Sequence, residues 1–560
     1  MVAILGLASF LVISLTVLPV IVLLMTALRP QGKLWLDPAG FTFDNFVALA
    51  GQPGLGELLS NTVVYVGGTI ALASVFATLW AWITERTDFR YKVTVRVLMI
   101  VTLALPTLIQ GFGWILLLNP SNGLINHVLR LALNLEDPTG PINIYSLGMM
   151  VTVSSFLLTP TVYVMLSGII RNLDYKLEFP ATLAGVPPWK IFARIVGPIL
   201  LPGLLSVLIY TVMIMIQVFE IPLTIGLTGG IQVLSTRIYL LSTAELGEPN
   251  YNLAAAFGVV LILVAVLLVV LYQRLTRESE KFAVIAGKNF RLVQGRLRGR
   301  RFLVYAYGAA FFTLAFLPVL VLLWTSLLPF YSLPTAESLQ NITLANYTEL
   351  FESSMFMRSL SNTAIVVFVG ATLTIFVSLL VSYVTVRPVN GWCRWIDIFA
   401  FMPIAIPNIV LGLAVLLLYV HTPVYGTIGA IMLAQVLVNT VFGTRIVSAG
   451  LIQVHPDLER AAMLGGVGRF KVMLRILVPI LRTQIFNGWL LVFAHAMRDV
   501  GIPLIFLTTQ TVMLSSSLWL IWGYPDVPGA AALSIILVLL LAAVVTPLQI
   551  YMSRLDERSS

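Results

Sequence analysis

Leu177-Glu178-Phe179-Pro180-Ala181-Thr182-Leu183-Ala184-Gly185-Val186 returns 281 residues later as Leu458-Glu459-Arg460-Ala461-Ala462-Met463-Leu464-Gly465-Gly466-Val467. Each copy runs on to a lysine (Lys190, Lys471), an Arg-Ile and a Pro-Ile-Leu. Between Leu177–Pro202 and Leu458–Thr483, 12 of 26 positions are identical. The matches include Glu, Gly, Lys, Arg and Pro, which shared apolarity does not produce. The chain is an internal duplication.

Other anchors extend the duplication at a different spacing. Asn45 matches Asn346, Ser60-Asn61-Thr62 matches Ser361-Asn362-Thr363, and Pro106 with Gly111 matches Pro407 with Gly412, all at an offset of 301. The first half therefore holds 20 additional residues, placed most naturally in the polar stretch Asn119–Ser146. The second half shortens this loop to a few residues around His421-Thr422-Pro423.

Hydrophobic residues make up 59% of the chain and charged ones 10%, and the mean hydropathy is +0.98. A water-soluble globule of 560 residues does not have this balance. The expected fold is an all-α polytopic membrane protein. A spanning helix needs about 20 mostly apolar residues, and twelve stretches qualify: roughly 3–28, 58–83, 95–118, 146–170, 200–227, 251–273, 302–329, 360–386, 395–419, 424–446, 481–508 and 528–552. Six fall in each repeat, giving a first repeat over 1–273, a basic linker over 274–301 and a second repeat over 302–560. The first stretch is too long for a signal peptide, lacks a basic leader and has a counterpart at 302–329, so it reads as a retained helix.

Lys and Arg near helix ends are retained on the cytoplasmic side. The linker decides the orientation: Arg274, Arg277, Lys281, Lys288, Arg291, Arg296, Arg298, Arg300 and Arg301 face only Glu278 and Glu280. With the linker inside, Arg86, Arg90, Lys92, Arg96, Lys176, Lys190 and Arg194 also fall inside, as do both termini. The expected location is a bacterial-type cytoplasmic (inner) membrane, with lipid as a partner. The net charge of +9 is scattered through loops rather than gathered on one soluble face, which argues against nucleic acid. The lone Cys393 forms no internal disulfide, and no Cys/His cluster suggests a bound metal; it reads as a small packing residue at a helix end.

Each repeated segment follows the fourth helix of its half and should lie on the cytoplasmic side. It is amphipathic and ends at a Pro that opens the next span, so it suits a short helix, a Gly-permitted turn and a second short helix. One copy alone would be as well explained as a connector; two in register argue for symmetric use on a partner. These residues resemble the EAA loop of ABC-importer permeases: Glu-Ala-Ala, three residues, a Gly, then an Ile and a Pro about ten residues on. Ala461, Ala462 and Gly466 match in the second copy, Ala181 and Gly185 in the first. Phe179 and Arg460 stand where the motif has its Glu, with Glu178 and Glu459 one residue earlier, and Pro180 replaces the first Ala. The resemblance implies that these loops, with Lys190 and Lys471, dock on an ATP-hydrolysing subunit.

A fused pair of six-helix units is the layout of the ferric-iron-type importer permeases and of the thiamine permease, so the resemblance covers essentially the whole chain. Phe219-Glu220-Ile221-Pro222, Ser235-Thr236-Arg237-Ile238-Tyr239 and Tyr272-Gln273-Arg274-Leu275-Thr276-Arg277 resemble the iron branch. No GxxxxGK[ST] phosphate loop occurs in the chain, so it lacks the P-loop route to ATP hydrolysis. The chain is expected to be a transport subunit, not an enzyme, and to bind no cofactor. The resemblance implies two copies of an ABC ATPase carrying ATP and Mg²⁺, and an extracytoplasmic solute-binding protein meeting the loops 29–57 and 330–359.

Ionisable residues inside spans are costly and tend to face the bundle interior. The fifth span carries Gln217 and Glu220 before Pro222; the eleventh carries His495, Arg498 and Asp499 before Pro503. An offset of 281 pairs Gln217 with Arg498 and Pro222 with Pro503, so both helices should break at one depth, with Gln217 about 20 Å along its helix. His495 and Asp499 are four apart and share one helical face, whereas Arg498 points about 100° away from Asp499. Two readings stand: Glu220 and Arg498 pair across a pseudo-twofold axis as part of a gate on the translocation path, or these groups staple the halves and satisfy backbone freed at the prolines. Pro106–Gly111 and Pro407–Gly412 mark a second equivalent position, where Pro and Gly loosen a span lining a cavity or, the favoured reading, permit close packing.

The function expected from all this is the permease of an ATP-driven solute importer working by alternating access, with ferric iron as the solute. Aminoethylphosphonate, thiamine or a polyamine are alternative cargoes. A gradient-driven secondary transporter also accommodates duplicated halves but has no use for the doubled loop. A membrane enzyme would need a convergent acid-base, nucleophile or metal set, and the four His and few intramembrane carboxylates supply none.

Overall fold

A computed structural model describes the chain except residues 1, 172–178, 192–193, 196, 244, 246, 280–296, 298, 525 and 560. Among the described residues, eight helices are long and apolar enough to cross a membrane, and three bent pairs bring the total to eleven candidate spans. The remaining expected stretch, 200–227, holds the apolar helix Gly197–Gln217, whose run of described residues is Gly203–Gln217. The chain leaves the helix at Val218 and Phe219 and re-enters a wide turn over Pro222–Gly226. Much of the basic linker, including Lys281, Lys288, Arg291, Arg296 and Arg298, lies outside the described residues, as does Lys176.

The third span of each repeat folds back on itself. Lys92–Ala104 and Thr107–Leu118 meet at 97°, Trp392–Ala405 and Asn408–Tyr419 at 114°. The cause is local: Leu105 and Ile406, each preceding a Pro, are extended (ψ 135° and 126°), the conformation a following proline ring enforces. Close packing was the favoured reading of these motifs, and it holds at Gly111, where a Cβ would stand 2.6 Å from Thr224 Oγ1, while one on Gly412 would make ordinary contact 3.6 Å from Ile505 Cγ1; the break at each proline comes in addition. Thr224 and Ile505 are themselves equivalent at offset 281.

The additional 20 residues of the first repeat build the helix Leu124–Leu133. Asn126, fully buried, ties it down, donating to the carbonyls of Leu118, Asn119 and Ile142 at 2.9, 3.1 and 2.7 Å and accepting from Ile142 N–H at 3.1 Å. The second repeat passes from Tyr419 to Ile428 by turns alone.

Packing divides the chain into two compact units, residues 1–53, 237–262 and 323–560 in one, and 54–236 and 263–322 in the other. Each unit holds the core helices of one repeat and the leading helix of the other. In the first unit, Ile4, Ala8 and Val12 of the leading span join Leu380, Tyr383, Val384 and Cys393 in one apolar cluster. Trp392 Nε1 donates to Ser9 Oγ at 3.0 Å and Trp35 Nε1 to Leu417 O at 2.9 Å. In the second unit, Trp80 is fully buried and stacks on Tyr307 with centroids 4.9 Å apart, with Phe311 edge-on at 5.9 Å. The described end of the linker is anchored in the same unit: Asp88 accepts from Leu297 N–H at 2.8 Å and from Arg301 at 3.2 Å. These bonds, the Leu297 one foremost, hold the exposed Asp88 carboxyl below its ordinary value.

Gly113 is a tight point of this second unit, since a Cβ there would fall 2.3 Å from Pro318 O and 2.6 Å from Pro318 Cβ. Gly113→Ala is expected to destabilise the protein by about 1–3 kcal/mol, read as a lowered midpoint in thermal unfolding of the detergent-solubilised chain. Gly6→Ala, where nothing lies within 4 Å, is the neutral control.

Candidate coupling loops and a polar break in the bundle

The repeated segments fold alike. In the first, the helix Phe179–Leu183 ends at Gly185, whose φ is +71°. In the second, Pro456–Leu464 ends at Gly466, with φ +80°. Val186 N–H donates to Ala181 O at 3.0 Å and Val467 N–H to Ala462 O at 3.2 Å. A six-to-one bond closed over a left-handed glycine is a Schellman cap, built here twice at offset 281. Short helices follow at Pro188–Ile191 and Arg469–Val472. In the second copy Pro456 occupies the first turn, His455 Nδ1 accepts from Asp457 N–H at 3.3 Å, and Asp457 and Glu459 lie in the first turn, where the helix dipole favours negative charge.

Exposure picks out what each loop offers. Leu183 is 72% exposed and its equivalent Leu464 90%. Gly185, Lys190, Ala461, Gly466 and Lys471 are also exposed, while Ala181 and Ala462 are half-buried. Arg460, at the motif's Glu position, sits on the surface with Asp457 at 3.0 Å. Glu459 turns inward to Arg387 Nε at 2.9 Å, its side chain 5% exposed. Glu178 lies outside the described residues.

The second constellation is the pair of helix breaks. Gly197–Gln217 stops at Gln217 and Arg482–Arg498 at Arg498, so Val218 and Asp499 are the equivalent first residues beyond them. The freed backbone is satisfied locally: Ser235 Oγ donates to Val218 O at 3.1 Å, Phe219 N–H to Glu220 Oε2 at 3.3 Å and Ile502 N–H to Asp499 Oδ2 at 3.3 Å. Gln217 Nε2 donates back to Met213 O at 2.9 Å. Pro222 opens the wide turn and Pro503 lies within the short helix Gly501–Ile505.

Asp499 has left the helix (ψ 133°), so the helical-face argument that joined it to His495 does not hold. The two are linked instead by residues the sequence reading passed over. Asp499 accepts from Gln435 Nε2 at 2.7 Å and Asn408 Nδ2 at 3.4 Å. Asn439 Nδ2 donates to Gln435 Oε1 at 3.0 Å, and Asn439 Oδ1 meets His495 Nδ1 at 2.9 Å. Gln435 and Asn439 are four apart in the helix Ile428–Gln453, the spacing that puts both on one face and the signal that could have found them. Ser154, Leu158, Thr107 and Val218 hold the corresponding places in the first repeat, so this polar chain belongs to the second repeat alone. Among the described residues no group of three or more His, Cys, Asp or Glu is placed to hold a metal ion.

The family of binding-protein-dependent transport system inner membrane components matches residues 70–280 and again 375–560. The chain belongs to this family. It is a two-repeat ABC importer permease, a multi-pass protein of the bacterial inner membrane. It is 23% identical over 479 residues to the Fe(3+)-transport system permease protein FbpB 2 of Haemophilus influenzae, covering 84% of this chain and 85% of that one. The ferric transport system permease protein FbpB of Actinobacillus pleuropneumoniae is also 23% identical, covering 87% and 69%. The putrescine transport system permease protein PotI of Escherichia coli is 30% identical over 165 residues, covering 28% and 58%. Among solved structures, a bacterial ABC transporter importing the acidic polysaccharide alginate aligns with a TM-score of 0.36 at 17% identity, covering 46% of the permease and 96% of that chain.

In the permease the polar chain has one weak point, Asn439, which is fully buried and bonded on both sides. Asn439→Leu should cost about 1–3 kcal/mol, because Gln435 Oε1 and His495 Nδ1 are left without their partner. The measurement is thermal unfolding in detergent, with Leu158→Ala at the equivalent place expected to act only by its lost volume.

Proposed function

We propose that the permease moves ferric iron inward by alternating access, driven by two copies of a separate ABC ATPase that carry ATP and Mg²⁺ and fed by an extracytoplasmic solute-binding protein. The observation that carries this reading is the pair of Schellman-capped loops with an exposed leucine at the same register. Each loop offers one apolar anchor on a short rigid helix, the form in which a helix enters a groove on a partner. The family's description as binding-protein-dependent supports the solute-binding partner. The ferric names of relatives that span most of the chain support iron as cargo. The basic linker, read by the positive-inside rule, supports a cytoplasmic position for both termini and both coupling loops.

On this reading Ala181, Gly185, Lys190, Ala461, Ala462, Gly466 and Lys471 form the ATPase-facing surface, together with Glu178. Gln217, Glu220 and Pro222 sit where one span breaks, and His495, Arg498, Asp499 and Pro503 where its equivalent breaks, and we assign both breaks to the translocation path. A second cargo, an organic dication, is favoured by the resemblance of one segment to a putrescine permease.

Co-purification with the ABC ATPase encoded nearby is the test. Wild type should retain two ATPase copies. Leu183→Asp/Leu464→Asp should lose about 2 kcal/mol or more per anchor and retain none. A Gly185→Arg/Gly466→Arg double variant should also release the ATPase, because an L-residue at these φ values costs about 1–2 kcal/mol per turn, although open space surrounds both glycines. Retention of the ATPase by both variants, or its absence from wild type, sinks the coupling reading. Uptake of radiolabelled ferric ion into proteoliposomes, with putrescine as competitor, separates the two cargoes.

A further inference from the structure

Arg86 and Arg387 are equivalent at offset 301, at the ends of the long helices Leu55–Arg86 and Ser354–Val386. Arg86 donates to Ile170 O at 3.2 Å, and Arg387 to Leu451 O at 3.4 Å. Ile170 and Leu451 are equivalent at offset 281 and lie in the last turn of the helix leading into each coupling loop. The same bond is therefore built twice, although the 20 additional residues of the first repeat fall between its two partners. Carbonyls in the last turn of a helix lack their i+4 donors, and a guanidinium supplies a donor with favourable charge; at Leu451 O it adds to the Val454 N–H bond of 3.2 Å.

In the second repeat the contact extends into the loop itself. Arg387 also donates to Val454 O at 2.6 Å, and its Nε meets Glu459 Oε1 at 2.9 Å. Only the planar, five-donor fork of arginine spans two carbonyls and a carboxylate at once. Arg387 is 19% and Glu459 5% exposed by side chain, so the carboxylate is turned away from any docked protein.

We propose that Arg387 is a positioning residue that clamps the second coupling loop to the end of the helix Ser354–Val386, and that Glu459 is the loop's half of this clamp rather than a contact for the ATPase. The consequence for transport rests on the coupling reading above. Ser354–Val386 is hydrogen-bonded through its last third to Ile428–Gln453: Ser378 Oγ donates to Thr440 O at 3.3 Å, Ser382 Oγ to Thr444 O at 3.0 Å, and Ser448 Oγ to Ser382 Oγ at 3.0 Å. The second helix of that pair carries Gln435 and Asn439, which hold Asp499 and His495 at the break. A displacement of the loop then reaches the polar break through a contiguous set of bonded elements.

The test begins with the full permease alone in lipid nanodiscs, as hydrogen exchange of the 456–467 amides in Arg387→Ala, Glu459→Ala and the double variant. Arg387→Ala should raise exchange roughly tenfold or more, because it strands a buried carboxylate. The double variant should be no worse than Arg387→Ala, the non-additivity expected of residues that act as one unit. Arg387→Lys, which keeps the charge but not the fork, should fall between wild type and Arg387→Ala. Unchanged exchange in Arg387→Ala, or effects that multiply in the double variant, overturns the clamp. In the complex, Glu459→Ala should keep the ATPase bound while solute moved per ATP hydrolysed falls. Release of the ATPase by Glu459→Ala, with loop exchange as in wild type, would make Glu459 a docking contact and refute the proposal. Should wild type bind no ATPase at all, the coupling reading fails and the exchange result still decides the clamp.

Discussion

Backbone amides cannot be left unpaired in hydrocarbon, and this constraint shapes every departure from helix in the permease. Helices satisfy it automatically, so an apolar chain of this kind has freedom only where it brings its own donors and acceptors to a break. Ser235 supplies one at Val218, and the Asp499 carboxylate supplies another at Ile502. Arg86 and Arg387 do the same where helices end, at the carbonyls of Ile170 and Leu451. The polar residues of the bundle are few, and most of those with described bonds are engaged with backbone.

The architecture was legible because the duplication is written in residues that have few substitutes. Gly185 and Gly466 adopt positive φ, so their recurrence at a fixed offset marked the loops; Pro106 and Pro407 recurred as well and marked an equivalent position, but the bends there were seen only in the structure. The offset change from 281 to 301 located the inserted loop, although not the helix Leu124–Leu133 within it, whose stability depends on Asn126 reaching carbonyls on both sides. Two features were illegible for a common reason. The inward turn of Glu459 and the Gln435–Asn439 link to Asp499 both depend on side chains from other helices. No period within one helix reports such contacts. The helical-face argument for His495 and Asp499 failed because the helix ends one residue earlier than that argument requires.

The two repeats share a scaffold but not a chemistry. At the break, the second repeat places a carboxylate held by three donors where the first has a valine, and an asparagine and glutamine where the first has leucine and serine. Duplication gave both halves the same bends and caps. The differences that followed concentrate on the polar groups at the breaks, where a change of side chain alters function at little risk to the helices.

Trp80 finds its stacking partners in Tyr307 and Phe311, more than two hundred residues further along the chain. A ribosome therefore delivers the core helices of the first repeat well before the leading helix that completes their packing. Until that helix enters the membrane, a large aromatic surface beside Phe76 and Phe156 stays open to lipid or to the insertion machinery. Order of synthesis and order of folding are thus uncoupled in this protein, since the rest of the first repeat and the linker are made before Tyr307 appears.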